Sequence, residues 1–251
     1  MPVPPDASPP RGAPLPAAQR IAVAGATGLI GSALLRQWAA RSRSAGTDGR
    51  LALALVRAGS APRQWPSGVQ SLAVDYTRLG RPDGPGLPAL DAAFCALGTT
   101  IKVAGSQAAF RAVDVDAVLA FATAARAAGA QRFGLVSALG ADAGSAVFYN
   151  RCKGEVEAAL RGLGFARLVI ARPSLLLGDR SPLGQPERPG ERWAQRLTPL
   201  IGPLVPARWR PIEAGTVAAA LLAATLDDPA PATRVLESDA LQRLGRAAAQ
   251  R

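Results

Sequence analysis

Short apolar runs alternate with helical patterns along most of this chain. "RIAVAG" at 20–25, "LALALV" at 51–56, "VQSLAV" at 69–74, "AAFCAL" at 92–97, "RFGLVS" at 132–137 and "RLVIAR" at 167–172 have the length of strands. Leu34, Leu35 and Trp38 recur at helical spacing after the first run, and the periodicity predicts helices over Ala108–Ala128 and Tyr149–Leu163. Strands that are apolar nearly throughout must be covered on both faces, and helices between them supply the cover. The pattern therefore predicts an α/β fold with a doubly wound parallel sheet. After Pro173 the alternation dissolves into apolar pieces broken by prolines, and residues 213–228 read as a last substantial helix.

This texture divides the chain into three parts. Residues 1–19 contain seven prolines and no apolar run, which predicts a disordered tail. Residues 20–173 form the sheet domain. Residues 174–251 are expected to complete that domain as a small substrate or lid region, with 174–215 covering the site and Trp193 and Trp209 either lining a pocket or simply packing.

The connection after the first run carries chemistry. "GATGLIG" places Gly25, Gly28 and Gly31 between a strand and an amphipathic helix. Gly25 allows a sharp turn off the strand, Gly28 lets a pyrophosphate approach the backbone, and Gly31 lets the helix lie against the sheet. The helix N-terminus then offers free N–H groups and a positive dipole to phosphates. In that context the motif is the phosphate-binding turn of a Rossmann-type dinucleotide fold.

Two further positions bear on which dinucleotide is bound. The second strand runs into Arg57 rather than an acid, and a guanidinium can hold a ribose 2′-phosphate that a carboxylate would repel. This favours NADP, against the alternative that Arg57 is one more surface arginine. Asp75 closes the third strand, where it either meets the adenine edge or shapes a turn.

A chain with only two tyrosines and two lysines sets Tyr149 four residues ahead of Lys153. One helical turn apart, both share a face of the helix after the fifth strand, and that strand ends at Ser137. A tyrosine is a poor acid–base at neutral pH unless a neighbouring ammonium favours its phenolate. The reading is that Ser137 polarises a carbonyl, Tyr149 passes the proton and Lys153 tunes it while holding ribose hydroxyls. The alternative is a pair that grips ribose without turnover. Cys152 has cationic neighbours that could activate its thiol, or is a small packing residue.

Composition removes other chemistries. The chain has no histidine, so imidazole triads and histidine metal sites are excluded, and its two cysteines lack metal-ligand spacing. The net charge of +11 comes from scattered arginines without basic runs, so no nucleic-acid partner is expected. No membrane-spanning window occurs, and the proline-rich start lacks the features of a signal or transit peptide, so a cytoplasmic protein is expected.

"GATGLIG", Ser137, "YNRCK" and Arg172-Pro173 resemble the short-chain dehydrogenase/reductase superfamily in its extended or atypical branch. More narrowly, "FCALGTTIKVAG", "VSALGADAGSAVFYNRCKGEVEAAL" and "RPSLLLGDR" followed by "ERPGERW" are similar to the Tat-interacting-protein type of NADPH-binding oxidoreductase. The resemblance implies NADP contacts from Thr27, Gly28, Leu29, Ile30, Arg57, Leu97, Gly98, Tyr149, Lys153, Leu176 and Arg188. It implies a small carbonyl or alcohol substrate and a monomer or homodimer. Asp114 departs from the asparagine found at that place in many members of the superfamily, which bears on the proton relay. The expected function is NADPH-dependent hydride transfer. The alternatives are a non-catalytic NADPH-binding regulatory module and a nucleotide-sugar epimerase.

Overall fold

The structure is a computed structural model that describes residues 18–44, 50–60, 63–178, 206–227 and 233–250. Seven strands form one sheet: β1 (Arg20–Ala24), β2 (Leu51–Arg57), β3 (Val69–Val74), β4 (Ala92–Cys95), β5 (Arg132–Val136), β6 (Arg167–Arg172) and β9 (Thr233–Glu237). Their order is β3-β2-β1-β4-β5-β6-β9, and every neighbouring pair is parallel. The doubly wound Rossmann-type sheet expected from the apolar runs is the observed architecture.

Alternate residues of each central strand enter opposite layers, as the period of two requires. Ile21, Val23, Ala92 and Phe94 face a layer built on α1 (Leu29–Ser44) and α6 (Ala214–Leu226), where Ile30, Leu34, Leu35 and Trp38 carry the apolar stripe of α1. Ala22, Ala24, Ala93 and Cys95 face α4 (Ala117–Ala127) and α5 (Phe148–Arg161) through Val118, Phe121, Val156 and Leu160. With both faces covered, the strands have no solvent side, which is why they read as continuous apolar runs.

The helix expected over 108–128 is interrupted. It is divided into α3 (Gln107–Arg111), a π-helical turn at Ala112–Asp116 and α4, and the turn carries Asp114 and Val115 into the interior. A π turn widens the helix and re-aims the residues within it. Upstream lies the single-turn α2 (Ile101–Ala104), capped by the Thr100 side chain, which accepts from the Val103 amide.

Most of 174–215, including Trp193, lies outside the described residues. The described parts return to the sheet. β7 (Leu176–Leu177) pairs with β8 (Ile212–Glu213) in a two-stranded ribbon, and β9 then joins β6 as the seventh strand. A final helix, α7 (Ser238–Ala249), packs against α6 where Gly245 admits the Thr216 backbone: a Cβ there would lie 2.3 Å from its carbonyl oxygen. Neither β9 nor α7 was expected from the sequence. Trp209 is exposed beside Arg208, whose guanidinium lies 5.5 Å from its ring centroid.

Candidate active site

The sheet order reverses at β1: β2 and β3 lie to one side of it and β4 to the other. Crevices at such a switch point, beyond the carboxyl ends of the strands, are where open α/β sheets bind ligands. The glycine turn sits there. Gly25 has φ of +74°, and a Cβ on it would stand 2.4 Å from the Ala96 carbonyl oxygen, so the turn after β1 presses on the end of β4. The Gly28 amide donates to the Gly25 carbonyl at 3.0 Å, and a Cβ on Gly31 would be 2.1 Å from that same oxygen. Thr27, Leu29 and Ile30 lie between these glycines at the start of α1. The backbone can follow this path only with glycine at 25 and 31, and the path leads directly into the N-terminus of α1. This cradle fits a dinucleotide pyrophosphate.

Arg57 ends β2, opposite Val74 in the parallel register, and is exposed. It lies at the rim reached by the next two side chains. Asp75 accepts from both the Thr77 hydroxyl (2.7 Å) and the Thr77 amide (2.9 Å), an Asx turn that holds its carboxyl below the ordinary aspartate value. Tyr76 turns inward toward Gly25 and Cys95. Burial pushes its phenol well up, against the opposing pull of the Gly25 backbone and Arg57.

The opening face of α5 carries Tyr149, Lys153 and Glu157 on successive turns. Tyr149 is half-buried, with its ring 5.7 Å from that of Phe110. Lys153 is buried, and its Nζ lies 6.0 Å from the Tyr149 ring centroid and 2.7 Å from Asp114 Oδ1. Asp114 is itself buried and accepts the Thr99 amide on its other oxygen at 2.8 Å. Burial works against the Lys153 ammonium, but Asp114 and Tyr149 oppose it more strongly, and the balance lies above the ordinary lysine value. Gly98, on the loop after β4, covers this pair: a Cβ there would be 3.5 Å from Asp114 Oδ1 and 3.8 Å from Lys153 Nζ. Leu97 precedes it and is half-buried among the residues that cover Cys95.

α5 is pinned in place by Gly154, where a Cβ would come within 2.1 Å of the Ala143 nitrogen. The residue after Lys153 must therefore lack a side chain for α5 to approach the 141–144 loop.

Ser137 follows β5 and is buried, but its hydroxyl donates to Glu157 Oε1 at 2.6 Å. Glu157 also takes two hydrogen bonds from Arg172, of 2.9 and 2.7 Å. The structure thus joins Ser137 to the Glu157–Arg172 cluster, and among the described residues its hydroxyl makes no hydrogen bond to Tyr149 or Lys153. Leu176, on β7, packs toward the α1 layer, and Gly178 just beyond it abuts Leu29. Arg188 lies outside the described residues. Cys152 is fully buried, with the Arg111 guanidinium 3.5 Å from its sulfur; burial suits the packing reading of this residue.

Thr99 and Tyr76 were not foreseen as part of this region, and Asp114 was noted only as a departure. One signal for Asp114 was available: an acid within the apolar stripe of "FRAVDVDAV" has to find a buried cation.

The parallel sheet, the glycine turn at its switch point and the Tyr149–Lys153 helix define a class, the Rossmann-type proteins of the short-chain dehydrogenase/reductase kind. No family model matches the chain. It is 37% identical over 181 residues to rat protein HTATIP2, covering 71% of each chain. It is 33% identical over 182 residues to "Protein fmp52, mitochondrial" of Emericella nidulans, covering 72% of this chain and 76% of that one. The chain belongs to this HTATIP2/FMP52 family, an atypical branch of the short-chain dehydrogenase/reductases. Among solved structures, the Bordetella bronchiseptica enzyme WbmG in complex with NAD superposes with a TM-score of 0.60 at 16% identity, over 96% of this chain and 79% of that one, a likeness of fold.

The relatives correct one expectation. The fungal FMP52 proteins are named mitochondrial, which overturns the cytoplasmic location expected here. A compartment is addressed by targeting signals, and neither the sheet nor the cleft carries that information. Among the described residues no helix is long and apolar enough to cross a membrane, and no cluster could hold a metal ion.

Proposed function

We propose that this protein is an NADPH-dependent oxidoreductase that interconverts a small carbonyl compound and its alcohol. The observation that carries the reading is the placement of Tyr149 one helical turn from a buried, charged Lys153, beneath Gly98 and beside the glycine turn. The turn would hold the pyrophosphate through Gly25, Thr27, Gly28, Leu29, Ile30 and Gly31. Arg57 would take the 2′-phosphate and thereby select NADP over NAD. Asp75 and Tyr76 would bound the adenine end, with Leu97, Gly98 and Leu176 along the ribose and nicotinamide. Arg188 retains its proposed cofactor contact on the strength of its motif alone.

Bound NADPH supplies a hydride. The chain's own part is the proton. In reduction, the Tyr149 hydroxyl donates a hydrogen bond to the carbonyl oxygen and gives up its proton as that oxygen gains charge. The carbonyl π bond gives way to a new C–H and a new O–H bond while the C–O single bond remains, and the phenolate left behind is stabilised by the Lys153 ammonium, 6.0 Å from the ring centroid. The Tyr149 hydroxyl makes no hydrogen bond among the described residues, so it is open to a substrate. In the reverse direction the phenolate takes the alcohol proton. Ser137 braces Glu157 in this reading, and Tyr149 polarises the carbonyl.

The test is NADPH oxidation across a panel of small aldehydes and ketones. Turnover that disappears in Tyr149→Phe while NADPH binding persists supports the assignment; unchanged turnover in that variant overturns it. One observation favours a second reading, a non-catalytic NADPH-binding module. The Ser137 hydroxyl is committed to Glu157, which leaves one fewer donor for a carbonyl. Absence of turnover with any carbonyl, together with tight NADPH binding, would select it.

A further inference from the structure

Lys153 presents a physical problem that its role as a partner to Tyr149 does not answer. An ammonium taken out of water is costly, and a lysine with no counter-charge sheds its proton instead. In many dinucleotide enzymes the cofactor can help hold such a group, but here the protein does so itself. Asp114 Oδ1 is 2.7 Å from Nζ, the Lys153 side chain is 7% exposed and that of Asp114 0%. The other Asp114 oxygen is held by the Thr99 amide, and the π turn between α3 and α4 is what brings the residue inward. The carboxylate is therefore hydrogen-bonded to the loop after β4 through one oxygen and paired with the ammonium of α5 through the other.

We infer that Asp114 is the positioning residue of this site: it keeps the buried Lys153 charged and fixed one turn from Tyr149 before any dinucleotide arrives. The inference rests on the reading of Tyr149 and Lys153 as the working pair. Three groups face Nζ: Asp114 from the π turn, Tyr149 from the same helix and Cys95 from the end of β4. The Cys95 thiol, pushed up to about 12 by burial, is neutral across the ordinary pH range. Asp114 supplies the carboxylate in contact with Nζ, 2.7 Å away, and the ammonium depends on it.

The consequence is a pH signature that simple packing would not produce. In the unaltered protein the folded-state value of Lys153 lies above its unfolded one, so the pair contributes stability in full below the unfolded value and loses it only as pH rises through the folded value. In Asp114→Asn the Thr99 bond survives but the counter-charge is gone, and the folded-state value of Lys153 drops below the unfolded one. Its penalty is then complete at low pH and is relieved as pH rises toward the unfolded value near 10.4.

The experiment compares melting temperatures of the two proteins, free of cofactor, from pH 7 to pH 10. All other titrating groups are shared, so the difference isolates the pair. The expected result is a deficit for Asp114→Asn of about 10 °C at pH 7 that shrinks to less than half by pH 10. A deficit that stays constant across the range overturns the inference. If Asp114→Asn does not fold, the double variant Asp114→Leu/Lys153→Met replaces it. Folding with a pH-independent melting difference from the parent supports the pairing, and failure to fold makes Asp114 a packing residue and overturns it. In the carbonyl assay, Asp114→Asn is expected to lower kcat at least tenfold with a smaller change in NADPH affinity. If the unaltered protein reduces no carbonyl while the pH signature stands, the functional reading falls and the pairing survives.

Discussion

Glu157 holds Arg172 through two hydrogen bonds of 2.9 and 2.7 Å, one to each carboxylate oxygen, and accepts the Ser137 hydroxyl at 2.6 Å. Only 1% of the Glu157 side chain is exposed, so its charge is balanced by these donors rather than by water. Arg172 also reaches Glu237 on β9 at 3.2 Å, which ties β5, α5, β6 and β9 at one end of the sheet. Removing the carboxylate takes away two of the hydrogen bonds of a partly buried guanidinium, leaving it Glu237, and leaves the buried Ser137 hydroxyl without its acceptor. Glu157→Ala is expected to cost about 3 kcal/mol in urea denaturation, as breaking one side of a buried pair does.

Ser137 separates bracing from catalysis. Losing a hydroxyl that bonds a charged acceptor costs about 1.5 kcal/mol. Ser137→Ala is therefore expected to lower stability by that order and to keep NADPH oxidation within about tenfold of the parent rate, since Tyr149 remains. A folded Ser137→Ala protein with turnover reduced far beyond that would give the serine a direct contact with substrate.

The glycine turn predicts a coupled loss. Gly31→Ala places a methyl group 2.1 Å from the Gly25 carbonyl oxygen, a contact that α1 can relieve only by moving off the sheet. A cost of about 1–3 kcal/mol is expected from such overpacking. Because α1 would also present the amides proposed to hold the pyrophosphate, calorimetric NADPH binding should weaken together with the melting temperature.

In the proposed function Arg57 selects the cofactor. A forked, charge-assisted contact to a 2′-phosphate contributes about 1.5–3 kcal/mol, which is about 10–100-fold in affinity. NADPH should raise the melting temperature more than NADH at equal concentration, and Arg57→Ala should bring the two to parity. Equal shifts in the unaltered protein would reverse the cofactor preference.

Both cysteines are fully buried. The Cys95 thiol is pushed up to about 12, so its thiolate is absent at pH 8. Native protein should release no colour with a thiol-reactive disulfide reagent at that pH, and two equivalents should appear on unfolding. Rapid reaction of one thiol in the native state would point to an activated Cys152.

How much of this was visible in the residues follows from the physics of each part. The strands of the inner sheet were legible because burial on both faces forces apolar runs, and the glycine turn because Gly25 and Gly31 answer steric demands that no other residue meets. β9 was missed because "TRVLE" is short and alternates exposed and buried positions at the sheet edge, so its pattern is weak. The break at Ala112–Asp116 was missed because a π turn changes helical phase by one residue, and the apolar period of 108–128 absorbs that without a visible gap. Tyr149 and Lys153 were found by spacing along one helix. The Asp114 contact joins residues 39 positions apart in the chain, and only the fold brings them together.

The placement of β9 has an implication for how the chain is made. Until residues 233–237 emerge from the ribosome, β6 offers a row of unsatisfied amides and carbonyls to any neighbour, and the nascent sheet is adhesive along that side. A version shortened before Thr233 should consequently partition into inclusion bodies even though the glycine turn, Tyr149 and Lys153 are all intact.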